Sequence, residues 1–177
     1  MSVRDKRLQS DYEKMLGAFS GDGKIRIKSV TGNPPEKYQI EFIVKSYVMD
    51  QQERIVVKGS HLAEIYLTNS YPRQAPQCRM LTPVFHPNIA PHAICIGDHW
   101  AAGESLSHLV VRIGEMLAYQ SYNLKSPLNG EAAKWTDEHR SQLPSDKTDF
   151  SSYYEAGSNT TNTKLSINDD IIKIGRL

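Results

Sequence analysis

Most of the groups able to do covalent chemistry in this 177-residue chain sit in one stretch dense in prolines and glycines. Cys95 stands between Ile94 and Ile96, with His86, His92, Asp98 and His99 close to it in sequence. The thiolate is the nucleophilic form of cysteine, and its unperturbed pKa is about 8.5, so a reactive Cys95 needs surroundings that favour the anion. Two chemistries suit these residues taken by themselves: hydrolysis by a cysteine activated by one of the histidines, and metal binding by the His, Cys and Asp side chains of the loop. The spacing His92-x-x-Cys95 matches none of the usual paired ligand patterns and no second cluster exists, which counts against a metal. The residues that flank the nucleophile of the common cysteine proteases are also absent. Cys78, in an alternating apolar stretch, reads as a core residue.

The elements that must position Cys95 can be read from periodicity. Leu8, Tyr12, Met15, Leu16 and Phe19 recur at helical spacing and predict an amphipathic helix over residues 3–19. Ile25 and Ile27 alternate with Lys24, Arg26 and Lys28, and Tyr38, Ile40, Phe42 and Val44 repeat the two-residue period after the turn Gly32-Asn33-Pro34-Pro35. Ile55–Val57 with Leu62–Leu67 read as a third strand and Cys78–Leu81 as a fourth, giving an antiparallel meander. Pro83, Pro87, Pro91, Gly97 and Gly103 make residues 83–104 a long loop, of the kind that often carries function. Leu106, Leu109, Val110, Ile113, Met116 and Leu117 stripe a helix with Ser105 as its N-cap, and Pro127 to Arg140 reads as a last helix.

The predicted organisation is one α+β domain over residues 1–143 and a polar C-terminal tail over 144–177, in which only Ile167, Ile171, Ile172 and Ile174 are suited to docking. With 39% hydrophobic residues the chain can build one sizeable core. The formal net charge is +1, which gives no global attraction to nucleic acid or to an anionic membrane. No apolar run approaches the roughly 18 to 20 residues that span a bilayer, and the polar start MSVRDKRLQSDYEK lacks the pattern of a secretory signal, so the expectation is a cytoplasmic protein with free thiols.

The order helix, four-stranded meander, cysteine loop, helix, helix resembles the ubiquitin-conjugating enzymes over about residues 3–140. The resemblance is carried by Tyr71-Pro72 with Pro76, by Thr82-Pro83-Val84-Phe85-His86-Pro87-Asn88-Ile89, by Ile94-Cys95-Ile96, and by Ser126-Pro127-Leu128-Asn129 with Glu131-Ala132-Ala133. It implies a ubiquitin-conjugating-enzyme-like fold and an acyltransferase that takes a ubiquitin-like protein from an activating enzyme onto Cys95, then passes it to a lysine amine. No cofactor is implied. Both steps pass through a tetrahedral oxyanion, and removing a donor to such an oxyanion typically costs about 3 to 4 kcal/mol. The resemblance gives Asn88 either that role or the fixing of the loop that has it, and gives His86 and Pro87 the shaping of the loop. Ser126 stands where an acid is frequent; a hydroxyl can hydrogen-bond an incoming amine but offers no charge. Asp98, His92 and His99 are candidates for the missing charge, with Asp98 first. Arg4, Lys6 and Arg7 are either a solvated helix face or the family's contact to the activating enzyme.

Several departures bear on partners. Leu67-Thr68 and Ala101-Ala102 replace the usual apolar ligase contacts, so any ligase partner must recognise an altered surface. Asp50-Gln51-Gln52-Glu53 replaces a glycine-rich flap. A non-catalytic adaptor of the same shape, which binds a modifier without a thioester, is a further alternative; such adaptors typically lack the cysteine.

Overall fold

The first helix, α1 (Val3–Phe19), begins at Ser2, whose side chain accepts from the Asp5 backbone N–H while the Asp5 carboxylate accepts from the Ser2 N–H. This reciprocal cap satisfies two otherwise orphaned donors and sets the helix start. Leu8, Met15, Ala18 and Phe19 are buried on its inner face, as the helical spacing predicts. In the computed structural model, which describes residues 1–97 and 100–156, α1 is followed by β1 (Ile25–Gly32), β2 (Pro35–Phe42), β3 (Ser46–Met49), β4 (Ile55–Lys58), β5 (His61–Tyr66) and β6 (Gln77–Met80).

The main sheet has the order β1-β2-β5-β6, all antiparallel, with Ile40 opposite Ala63 and Ile65 opposite Cys78. Tyr38, Ile40, Phe42, Ala63, Ile65 and Met80 point to the core. The intervening positions make the ion pairs Lys28–Glu41 and Arg79–Glu64 on the outer face. This is the expected four-stranded meander with one correction. Ile55–Val57 and Leu62–Leu67 are not one strand: β4 leaves the sheet to pair with β3 as a separate hairpin, and only β5 joins β2. The hairpin turn is the Asp50–Glu53 segment, closed by the Asp50 carboxylate accepting from the backbone N–H groups of Gln52 and Arg54.

Two short strands, β7 (Ile89–Ala90) and β8 (Ala93–Ile94), form a small ladder inside the otherwise irregular segment 83–104. The next helix, α2 (Leu106–Leu117), is buried nearly all round; Leu106, Leu109, Val110, Val111, Ile113 and Leu117 are all inaccessible. Ser105 is its N-cap residue, but the Ser105 hydroxyl pairs with Ser107 Oγ at 2.7 Å and makes no bond to the helix backbone. The last predicted helix is shorter than expected: α3 (Gly130–Glu138) starts after Asn129, whose side chain accepts from Ala132 N–H at 3.0 Å. A short polar cap wins over the proline signal at Pro127 because it satisfies an orphan donor directly.

Residues 144–156 do not extend away from the domain as a tail. Asp146 accepts from Lys45 N–H, Phe150 is 3% exposed against the core, and α4 (Ser151–Ala156) places the Tyr153 hydroxyl on Lys24 N–H at 2.7 Å. A Cβ at Gly114 would meet the Phe150 ring at 3.0 Å, so α2 receives this ring because it carries no side chain there. A polar composition hid one well-placed aromatic. The isoleucines from Ile167 onward lie outside the described residues. Among the described residues no helix is long and apolar enough to cross a membrane.

Between β6 and β7 the segment Phe85–Asn88 passes through the interior. His86 is fully buried with its ring 4.6 Å from that of Tyr119, and burial pushes its pKa down to about 3. His61, also buried, is shifted down for the same reason. The unfolded chain therefore takes up protons that the folded chain refuses once pH falls below about 6.5, and stability is lost in that direction. Urea unfolding followed from pH 7 to pH 4 is expected to show stability falling with pH, His86 alone contributing about 1.4 kcal/mol per pH unit. Phe150→Ala is expected to cost about 3–5 kcal/mol in the same assay at pH 7. A change within about 0.5 kcal/mol would mean that residues 144–156 contribute no packing.

Candidate active site

The site is assembled around the buried segment Phe85–Asn88, whose polar groups each reach a different element. Phe85 N–H donates to Tyr47 O of β3 at 2.8 Å, and Phe85 O accepts from the Tyr119 hydroxyl at the end of α2. His86 Nδ1 accepts from Asn88 N–H at 3.0 Å, which makes it the unprotonated nitrogen of a neutral ring. Pro87 O accepts from both Leu128 N–H and Asn129 N–H, at 2.8 and 3.0 Å, and so fixes the entry to α3. Asn88 O accepts from Cys95 N–H at 2.9 Å. His86 and Pro87 are thus bonded to backbone N–H groups of Asn88, Leu128 and Asn129, and His86 is fully buried.

The Asn88 side chain is committed in both directions. Its Nδ2 donates to Asn123 O at 2.8 Å and its Oδ1 accepts from Asn123 N–H at 2.7 Å. With Asn88 4% exposed, this reciprocal pair latches the loop after α2 onto the Cys95 loop.

Cys95 itself is half-buried with a free thiol, just after β8. It lines a groove of about 220 Å³ with Asn88, Gly97, Arg112 and Met116 of α2, and Tyr122 and Asn123 of the latched loop. Gly97, two residues after Cys95, has φ +88°, a left-handed conformation that favours glycine. Cys78, also a free thiol, is 6% exposed, and burial pushes it up to about 12. Among the described residues Cys95 is thus the one cysteine open to a partner.

The remaining candidates are distributed differently. Ser126 is exposed and is not part of the groove wall. His92 is exposed and lies on a separate depression with Cys78 and Arg79. Asp98 and His99 lie outside the described residues. Among the described residues no three His, Cys, Asp or Glu side chains come together around a potential metal position. The basic residues of α1 do not form the solvated row that their sequence suggested. Arg4 pairs with Glu36 at 2.6 Å and donates to Leu67 O and Thr68 O, and Arg7 pairs with Asp11 at 2.7 Å. Only Lys6 of the three is exposed. Arg112, Tyr122 and Asn123 escaped sequence reasoning because nothing in a helix or loop of ordinary composition signals which residues face a nucleophile on another segment.

Comparison with known proteins agrees with this architecture. The family model for ubiquitin-conjugating enzymes matches residues 27–149. The chain is 33% identical over 145 residues to ubiquitin-conjugating enzyme E2 13 of Saccharomyces cerevisiae, a match covering 76% of this chain and 83% of the yeast protein. It is 32% identical over 88 residues to ubiquitin-conjugating enzyme E2 2 of Debaryomyces hansenii, covering 48% of this chain and 51% of that protein. The fold is similar to that of S. cerevisiae Ubc12, with a TM-score of 0.58 at 20% identity over 77% of this chain and 72% of the other. The matched residues run from within β1 to the residue before Phe150, and include the whole of the Cys95 groove. The chain belongs to the ubiquitin-conjugating enzyme family, a family of transferases.

Proposed function

We propose that this protein carries a ubiquitin-like modifier as a thioester on Cys95 and transfers it to a lysine amine. In the first step the Cys95 thiolate attacks the thioester carbonyl of the charged activating enzyme; the new C–S bond forms and the enzyme's thiolate leaves. In the second a neutral lysine amine attacks the same carbonyl, the C–N bond forms, the amine proton goes to solvent or a base, and the Cys95 thiolate is released. Adenylation of the modifier belongs to the activating enzyme, and the chemistry on this chain needs no cofactor. The observation that carries the proposal is an accessible free cysteine set in a groove whose far wall is held by the Asn88–Asn123 pair, in a chain of this family.

Asn88 acts in this account by holding residues 121–123 in the wall of the groove beside the thioester. Ser126 lines the path of the lysine, and Asp98, three residues beyond Cys95, supplies the carboxylate that draws in the ammonium. Lys6 is the residue of the predicted α1 set left open to an activating enzyme. The exposed Leu128, beside Ser126, offers an apolar contact to the segment around the target lysine.

Incubation with cognate activating enzyme, modifier and ATP is expected to give an adduct on non-reducing electrophoresis that thiols remove. It should be lost in Cys95→Ala and kept in Cys78→Ala; loss in both, or in Cys78→Ala alone, would refute the assignment. Asn88→Ala orphans both Asn123 groups and is expected to cost about 1–3 kcal/mol of stability and to slow transfer to free lysine by about 10²-fold or more. Ser126→Asp is expected to speed that transfer by about tenfold, measured in single turnover of the preformed adduct. An unchanged rate would remove Ser126 from the lysine's path.

A further inference from the structure

Arg7 lies on α1, far in sequence from Cys95, yet two of the four hydrogen bonds of its guanidinium go to the segment that precedes α2. Its Nε donates to the Asp11 carboxylate at 2.7 Å and one Nη2 N–H to the Tyr71 hydroxyl at 3.0 Å. The other contacts are to the main chain beyond Cys95: Nη1 donates to Ala102 O and Nη2 to Glu104 O. Four hydrogen bonds thus engage a group with five N–H donors, and the charge is met by a carboxylate that is itself 1% exposed. A residue that docks a partner must present its donors to solvent; this one has almost none left to present.

The same segment is held from its other end. Trp100 Nε1 donates to Pro72 O at 2.7 Å, and the Trp100 ring packs 5.7 Å from that of Tyr71, over which the Arg7 guanidinium also lies. Asp11 receives the Tyr71 hydroxyl at 2.6 Å, closing the network. On the far side Glu104 pairs with Arg112 at 2.9 Å, and Arg112 is part of the wall of the Cys95 groove. Residues 100–104 are therefore suspended between α1 and the groove by bonds to Arg7, Pro72 and Arg112.

We propose that Arg7 is a positioning residue for the Cys95 groove: by clamping the carbonyls of Ala102 and Glu104 to α1, it sets the placement of the segment that carries the chain from Cys95 to α2 and, through Glu104, the placement of Arg112. This rests on the assignment of Cys95 as carrier. It replaces the reading in which Arg7 contacts the activating enzyme. A fork that reaches two carbonyls cannot be reproduced by lysine, whose single Nζ can keep the Asp11 pair but not the clamp. Arg7→Lys therefore removes the positioning bonds while leaving the buried carboxylate a cation. Trp100→Phe loosens the same segment without touching any charge.

The test separates charging from discharge. Wild type, Arg7→Lys and Trp100→Phe are compared for the KM of the activating-enzyme step and, after charging and quenching of ATP, for the single-turnover rate of transfer to free lysine, with Tm measured on each. Positioning predicts a transfer rate lower by about tenfold or more in both variants, with the charging KM within about twofold of wild type. A raised charging KM with transfer unchanged would make Arg7 a docking residue and overturn the proposal, as would no change in either quantity. A lowered Tm with normal transfer would overturn it too, leaving Arg7 with a structural role only. Alkylation of uncharged protein by iodoacetamide over pH 6 to 10 gives a readout that needs no modifier. The rate profile at Cys95 should shift in both variants while Cys78 stays unreactive, and an unshifted profile would contradict the proposal even if no activating enzyme charges the wild type, an outcome that would instead sink the carrier assignment.

Discussion

A buried stretch of backbone must find partners for its polar groups, and in this protein that requirement builds the site. Phe85–Asn88 runs through the interior, where each carbonyl or amide left unpaired would cost about 1–3 kcal/mol. The partners it finds are Tyr47 in the β3–β4 hairpin, Tyr119 at the end of α2, the chain entering α3, and Cys95 itself. Every wall of the Cys95 groove that is not α2 is tied to this segment directly or through Asn123. Proline at 87 suits the arrangement because its carbonyl is needed twice and the N–H it lacks is one donor fewer to satisfy. Satisfying the backbone and shaping the groove are one event, which is why Cys95 can sit on an irregular loop and still have fixed neighbours.

That economy also explains which parts of the molecule could be read in advance. Period-two alternation at Tyr38, Ile40 and Phe42 and helical spacing at Leu8, Met15 and Phe19 reflect one-sided burial, so the main sheet and α1 were legible. The β3–β4 hairpin was not, because Ile55–Val57 has the same β-branched character whether it pairs with β5's neighbours or with β3, and register is a tertiary matter. Phe150 was missed for a related reason: a single aromatic in a polar run gives no period, and its seat exists only because Gly114 lies opposite. For the site, the His-Pro-Asn segment and Cys95 were visible as residue types at a spacing. Their partners Asn123, Tyr122 and Arg112 were not, since contacts across a hundred or fewer residues of chain leave no local trace.

The charged residues of α1 show the same limit in another form. A row of Arg4, Lys6 and Arg7 near a helix start has the pattern of an exposed basic face, and composition cannot tell a solvated arginine from one that holds two loops in place. Arginine's fork makes it suited to the second role, because it can serve a carboxylate and carbonyls at once. Here Arg4 secures the chain after β5 through Leu67 O and Thr68 O, and Arg7 secures the chain after Cys95. The first helix is thus joined to the chain after β5 and to the chain that precedes α2, while the outer face of the sheet carries surface pairs such as Lys28–Glu41. Such exposed pairs contribute little, about 0–1 kcal/mol, so the rigidity that matters for the groove comes from the buried network around Asp11.

The central claim is that the modifier is held on the sulfur of Cys95, and replacing that sulfur by oxygen tests it most directly. Cys95→Ser, charged under the same conditions and digested for mass spectrometry, should yield an ester that survives thiol reductant, is cleaved by hydroxide, and maps to the peptide containing residue 95. An adduct that stays thiol-labile in Cys95→Ser, or that maps to Cys78 or to a lysine, would contradict the account.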